Sequence, residues 1–118
     1  MKILFICCAG MSSSLVVKKL EDYIDTLKSS NTTNLNLTIE AIPLDKFRNV
    51  KDDYDIILLA PQIAYKLKEF KKLISDKNKS IPVSIIKGLD YGLLRVDNIL
   101  SSALLLIKES KELNSKVF

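Results

Sequence analysis

The sequence predicts an α/β fold: an open four-stranded parallel sheet with strand order 2-1-3-4, covered by helices on both faces to give three layers. Three observations predict it. Short apolar runs alternate along the chain with longer segments of helical period. The runs Lys2–Ile6 and Asp55–Ala60 are almost continuously apolar, as strands buried on both faces are. Leu37–Ile42 alternates apolar and polar residues, which is typical of an edge strand.

The remaining elements follow from the same patterns. A fourth strand is predicted at Pro82–Ile86, and Pro61 suits the first turn of a helix. Gly88 and Gly92 indicate a loop. Helices are expected over 14–28, 61–75 and 96–112, a short helical turn within 43–53, and a loop over 8–13. With 118 residues and no linker or repeat, the chain is expected to form one domain over 1–118.

Composition excludes several kinds of chemistry. The chain has no histidine, so it offers no histidine base, metal ligand or phosphorylation site. Its two cysteines, Cys7 and Cys8, are neighbours that make a poor disulfide and a poor metal site, so no metal and a reducing, intracellular setting are expected. The net charge of +4 comes without an aromatic-basic motif, so no nucleic acid is expected. No secretion signal or membrane span is predicted.

The first loop carries the candidate chemistry. Ligands of open α/β sheets bind beyond the carboxyl ends of the strands where the strand order reverses, here between the first and third strands. Cys7 ends the first strand, and small residues lead from it into a helix N-terminus, which favours anions and thiolates. Cys7 is therefore the candidate nucleophile. The candidate phosphate-binding residues are Cys8, Ala9, Gly10, Met11, Ser12, Ser13 and Ser14.

Phosphatases place an arginine six positions after their cysteine, and that position is Ser13 here. The segment after the third strand, Ala60–Ile63, contains no acid that could drive hydrolysis. These two differences favour a phosphoryl carrier over a hydrolase. Two alternatives stay open: an enzyme like the low-molecular-weight phosphatases or arsenate reductases, and a regulatory interaction module with an inert cysteine. Cys8 is expected to have a structural role, because free cysteines often pack as small buried hydrophobic residues.

Two segments resemble a known family. Ile3–Ser14, ILFICCAGMSSS, is similar to the phosphocysteine loop LFCSAGMSTS of the IIB components of the bacterial sugar phosphotransferase system, lactose/cellobiose/chitobiose type. Asp55–Tyr65, DIILLAPQIAY, resembles the family's DVVLLGPQIAY. Tyr91-Gly92 with Val96-Asp97 weakly resembles its YGKVDG stretch. The segment 86–97 otherwise departs from the family pattern.

The resemblance implies a cytoplasmic phosphotransferase without a cofactor. Cys7 would accept a phosphoryl group from a phosphohistidine on a IIA component. It would pass the group to a sugar, such as a β-linked disaccharide, bound in a IIC membrane permease, through which the chain could associate with the membrane. The expected partner contacts are Met11, Pro61, Gln62, Ile63, Tyr65 and Tyr91, of which Met11, Pro61, Ile63 and Tyr91 are expected to form an exposed apolar ring. The sugar is not predicted, because the permease holds it.

Overall fold

The structure, a computed structural model, describes residues 1–7, 11–29, 37–44, 54–76 and 81–116. Residues 8–10 of the predicted loop, and most of the helical turn predicted within 43–53, lie outside these ranges. Among the described residues, the order of strands and helices follows the predicted alternation.

The sheet has four parallel strands: β1 (Lys2–Cys7), β2 (Thr38–Pro43), β3 (Ile56–Leu59) and β4 (Val83–Ile85). Their spatial order is β2-β1-β3-β4, which confirms the predicted fold class. The two continuously apolar runs form the central strands β1 and β3, and their residues after Lys2 are buried. The alternating run forms the outer strand β2, which is partly exposed, because a strand with polar residues on one side tolerates water there.

Four helices connect and cover the strands: α1 (Met11–Ser29), α2 (Leu67–Asp76), α3 (Gly88–Gly92) and α4 (Val96–Lys116). Helices α1 and α4 pack against each other, and their buried residues include Val16, Leu20, Ile99 and Ala103. Helix α2 packs against β4, and its residues Phe70 and Ile74 are buried. None of the described helices is long and apolar enough to span a membrane.

The helix predicted over 61–75 begins differently from the prediction. A 3-10 helix spans Pro61–Lys66 before α2 starts, and Ile63 within it has non-helical backbone angles. Ala60 is extended, with φ −61° and ψ 148°, because the proline ring of Pro61 disfavours a helical conformation in the residue before it. Helix α1 also begins earlier than predicted, at Met11 instead of Ser14.

Helix α3 replaces the loop that Gly88 and Gly92 predicted. It ends in a Schellman motif: the Arg95 N–H donates to the Asp90 carbonyl at 2.8 Å, and the Leu94 N–H donates to the Tyr91 carbonyl at 3.3 Å. Leu94 occupies the left-handed position of this motif with φ 54°, where glycine is usual. The motif turns the chain from α3 directly into α4.

Hydrogen bonds join the strands at the amino end of the sheet. The backbone N–H of Asp55 donates to the Lys2 carbonyl at 2.8 Å, and the Lys2 N–H donates to the Asp55 carboxylate at 2.8 Å. The Tyr54 hydroxyl donates to the Glu40 carboxylate on β2. These bonds join the start of β1 to the residue before β3, and they link Tyr54 to Glu40 within β2.

Candidate active site

Cys7 is the last residue of the central strand β1, at the carboxyl end of the sheet. On one side it pairs with Pro43, the last residue of β2. On the other side β3 ends at the same level, where the Ala60 N–H donates to the Ile6 carbonyl at 3.0 Å. Because both neighbouring strands end here, the backbone hydrogen bonds hold Cys7 at the reversal point of the strand order, where the sequence predicted the site.

Cys7 is buried, with 9% of the residue exposed. Its Sγ donates a weak hydrogen bond to the Ile42 carbonyl oxygen at 3.8 Å. Alternation along the strand puts Cys7 on the same face of the sheet as Phe5, which is buried. The sulfur therefore lies at the boundary between the core and the carboxyl end of the sheet.

The N-terminus of α1 follows Cys7 closely. The helix begins at Met11, so three residues, Cys8, Ala9 and Gly10, connect it to β1. The first backbone N–H groups of a helix have no partner within the helix and carry partial positive charge. The connecting residues and the side chains of Met11, Ser12, Ser13 and Ser14 lie outside the described part of the chain. Their predicted role in binding phosphate stays a prediction.

The segment after β3 forms part of the same end. Gln62 is exposed, and Tyr65 is 75% exposed. The prediction that Ile63 belongs to an exposed ring is wrong, because Ile63 is fully buried. Its N–H donates to the Ala60 carbonyl at 3.0 Å, and the 3-10 turn packs its side chain into the core.

The prediction that Tyr91 is exposed is wrong too. Tyr91 is buried, and its ring stacks on Phe5 with the centroids 6.5 Å apart and the planes 5° apart. Tyr91 belongs to the short helix α3, which forms where Gly88 and Gly92 predicted a loop. Tyr91 thus links the segment after β4 to the strand that carries Cys7.

Sequence reasoning missed three exposed leucines near this end. Leu89 and Leu93 belong to α3 and its C-cap, which follow β4, and Leu15 lies near the start of α1. Leu89 and Leu93 are four residues apart, which is a helical spacing. Gly88 and Gly92, which precede them, obscured this signal. With Tyr65, these leucines give the carboxyl end an exposed apolar rim.

Comparison with known proteins agrees with this architecture. Residues 2–102 match the family model described as the lactose/cellobiose-specific IIB subunit of the phosphotransferase system. Two Lactococcus lactis proteins, named as galactose-specific and cellobiose-specific EIIB components, are each 31% identical over 105 residues, which is 82% of this chain and 87% of each relative. The solution structure of a cellobiose-specific IIB component from Borrelia burgdorferi superposes with a TM-score of 0.70 at 34% identity, covering 93% of this chain and 94% of that one.

The sheet order, the strand-end cysteine and these matches define a class of protein, the phosphotransferases of bacterial sugar uptake. Within that class, the chain belongs to the lactose/cellobiose-specific IIB family of the phosphotransferase system. The two Lactococcus relatives match equally well although their names give different sugars. The degree of similarity therefore does not select the sugar.

Proposed function

We propose that Cys7 carries a phosphoryl group between two other components of the phosphotransferase system. The observation that supports this most is the position of Cys7: its sulfur lies at the carboxyl end of the central strand, next to the connection to a helix N-terminus. A doubly charged ester gains most from unpaired N–H donors at such a helix terminus. Cys8 lies outside the described residues, and Cys7 is the cysteine held by the strand.

Two balanced displacements make up the proposed cycle. The Cys7 thiol loses its proton to solvent, and the thiolate attacks the phosphorus of a phosphohistidine on a IIA component. The P–S bond forms as the P–N bond breaks, and the electron pair returns to the imidazole nitrogen. A hydroxyl of a sugar bound in a IIC permease then attacks the same phosphorus. The P–O bond forms, the P–S bond breaks, the hydroxyl proton leaves to solvent, and the Cys7 thiolate is released.

Stabilisation of the phosphoryl oxygens is assigned to the loop and helix start, residues Cys8, Ala9, Gly10, Met11, Ser12, Ser13 and Ser14. The backbone N–H groups of this segment supply donors without the arginine that phosphatases use. The segment Ala60–Ile63 contains no carboxylate that could act as a general base and activate a water molecule for attack on the phosphorus. The ester should therefore persist until a sugar arrives, as a carrier requires.

Partner docking is assigned to the exposed groups around Cys7. Tyr65 and Gln62 follow β3, Leu89 and Leu93 follow β4, and the half-buried Pro61 lies beside Ala60. Aromatic and apolar groups of this kind carry most of the affinity in protein interfaces. Both partners must bring their reacting atoms to the same sulfur, so the same rim would serve the IIA and IIC components in turn. A β-linked disaccharide is the proposed sugar class, in line with the cellobiose named for two of the relatives.

The direct test is intact-mass measurement after incubation with phosphoenolpyruvate and the upstream components, including a IIA protein. We expect the wild-type chain to gain one phosphoryl group, with peptide mapping placing it on Cys7. Cys7→Ser should gain none, because a serine hydroxyl is a far weaker nucleophile than a thiolate near neutral pH. Cys8→Ser is the matched control and should be phosphorylated like the wild type.

Phosphorylation of Cys8, or of the Cys7→Ser variant, would contradict the assignment of Cys7 as the phosphorylated residue. Rapid turnover of an aryl phosphate by the isolated chain would favour a phosphatase instead. A wild-type chain that gains no phosphate and whose Cys7 resists alkylation would favour a regulatory module with an inert cysteine.

A further inference from the structure

Helix α2 presents a basic face to solvent. Lys68, Lys71 and Lys72 are exposed and lie at positions i, i+3 and i+4, so they share one side of the helix. The opposite side is buried through Phe70 and Ile74. We call Lys68, Lys71 and Lys72 the lysine face.

The charge of this segment is not balanced as it is in the other long helices. Residues 66–80 contain six lysines against Glu69 and Asp76, a balance of +4 that equals the net charge of the whole chain. Helix α1 has three lysines and three acids, and α4 has three lysines and three acids. The twelve Lys+Arg and twelve Asp+Glu outside this segment cancel, so the net charge of the sequence equals the net charge of residues 66–80.

Within the described part of the chain, little neutralises the lysine face. Glu69, an exposed acid of α2, pairs with Lys66 at 3.0 Å. Lys68, Lys71 and Lys72 form no ion pair with any residue within the described ranges. Their field therefore extends into solvent over roughly one Debye length, about 10 Å at 0.1 M salt.

The composition of the face favours one kind of partner. Lysine is depleted in protein interfaces, which use aromatic residues and arginine as anchors, and the lysine face contains neither. Its three ammonium groups suit a diffuse anionic surface, which attracts basic segments without specific contacts. The apolar side of α2 is already buried in the core, so the helix cannot insert and can only bind at the surface.

We propose that the lysine face binds the anionic surface of a lipid bilayer. The proposal builds on the proposed function, in which the phosphoryl acceptor is a membrane permease, and it adds a lipid contact that raises the local concentration of the carrier beside that permease. The face begins next to the 3-10 helix that carries Tyr65, so a bound molecule keeps the carboxyl end of the sheet close to the membrane.

The test is sedimentation of the full chain with vesicles of phosphatidylglycerol and phosphatidylcholine in equal parts, at low salt, with pure phosphatidylcholine as the neutral reference. We expect binding only to the mixed vesicles, and release as salt is added. The triple variant K68Q/K71Q/K72Q should lose roughly fivefold in partition coefficient per lysine, or about 100-fold in total.

The matched control is K18Q/K19Q/K28Q, which removes three exposed lysines from α1 and lowers the net charge equally. It should bind vesicles within a few-fold of the wild type. Circular dichroism of both triple variants checks that they fold. Cys7→Ser should bind like the wild type, which separates the vesicle result from the phosphoryl-transfer result.

Three outcomes would overturn the proposal. The first is an absence of phosphatidylglycerol-dependent sedimentation by the wild type. The second is an equal loss in both triple variants, which would show that net charge alone decides. The third is a K68Q/K71Q/K72Q variant that keeps vesicle binding but no longer accepts phosphate from a IIA component, which would make the lysine face a protein contact.

Discussion

The two ends of the sheet differ in how their polar and apolar groups are used. At the amino end, the Lys2 carbonyl accepts a hydrogen bond from the Asp55 N–H, and the Lys2 N–H donates to the Asp55 carboxylate. The Tyr54 hydroxyl donates to the Glu40 carboxylate on β2. At the carboxyl end, where β1 ends at the buried Cys7, the side chains of Tyr65, Leu89 and Leu93 are exposed. The difference indicates that the amino end contributes to stability, whereas the carboxyl end exposes apolar side chains, which the proposed function assigns to partner docking. Variants at the two ends of the sheet test this division, and the largest effect is expected at the amino end.

Shortening a side chain at the amino end of the sheet should lower the stability of the fold and leave phosphoryl transfer intact. Tyr54 is buried, so Tyr54→Ala removes a large side chain from the core together with its bond to Glu40. We expect the free energy of unfolding to fall by about 3 kcal/mol or more. Urea titration followed by circular dichroism measures the loss. The rate of phosphoryl acceptance per folded molecule should stay within a few-fold of the wild type, and a large drop in that rate would break the division.

Shortening a side chain at the carboxyl end of the sheet should leave the stability of the fold unchanged and slow phosphoryl transfer. Tyr65 is 75% exposed, so Tyr65→Ala should leave the unfolding midpoint in urea almost unchanged. If Tyr65 anchors a partner, kcat/KM for transfer from a IIA component should fall roughly tenfold. Stopped transfer reactions analysed by intact mass give this rate.

Leu105→Ala is the control for the rim. Leu105 is exposed to 57%, close to the 56% of Leu93, but it lies in the middle of α4, about 14 Å along that helix from its start. Leu93→Ala should slow transfer and Leu105→Ala should not. Equal slowing by both variants would argue against a docking role for the rim.

The Phe5–Tyr91 contact joins the two kinds of region, because one ring belongs to the core strand β1 and the other to α3 at the carboxyl end. A double-mutant cycle with Phe5→Leu and Tyr91→Leu should give a coupling energy of about 1 kcal/mol in urea unfolding. A coupling energy near zero would mean that α3 is held by its other contacts instead.

The smallest effect is expected at the surface of α2. Lys66 and Glu69 form an ion pair at 3.0 Å with both side chains substantially exposed. Glu69→Gln should lower the free energy of unfolding by no more than about 0.5 kcal/mol, and added salt should reduce the difference further. A larger loss would show that the pair supports the 3-10 helix before α2.

Sequence patterns predicted the sheet well because its signals are strong. Continuous apolar runs predicted the central strands β1 and β3, and the alternating run predicted an outer strand. The order 2-1-3-4, with right-handed crossovers assumed, is consistent with these positions. The apolar run of the first strand also predicted that Cys7 lies at the end of β1. The position of a residue along a strand is set by local pattern, and such positions can be inferred without coordinates.

The groups around Cys7 were harder to predict, because their exposure depends on tertiary packing. Ile63 lies in a 3-10 turn with non-helical backbone angles, and this geometry packs it into the core. Tyr91 is buried because α3 forms where two glycines had indicated a loop. Local propensity favoured a loop there, and the stacking of Tyr91 on Phe5 together with the Schellman motif outweighed it.

The hydrogen bond from Cys7 to the Ile42 carbonyl bears on the order in which the proposed donor and acceptor bind. A thiol can donate to that oxygen, but a phosphorylated sulfur has no proton to give and brings negative oxygens that a carbonyl repels. If Cys7 carries the phosphoryl group as proposed, phosphorylation should turn its side chain away from β2. The empty and the phosphorylated carrier would then present different surfaces, so the proposed donor would favour the empty form and the proposed acceptor the phosphorylated form. Each transfer would return the carrier to the form that the donor favours.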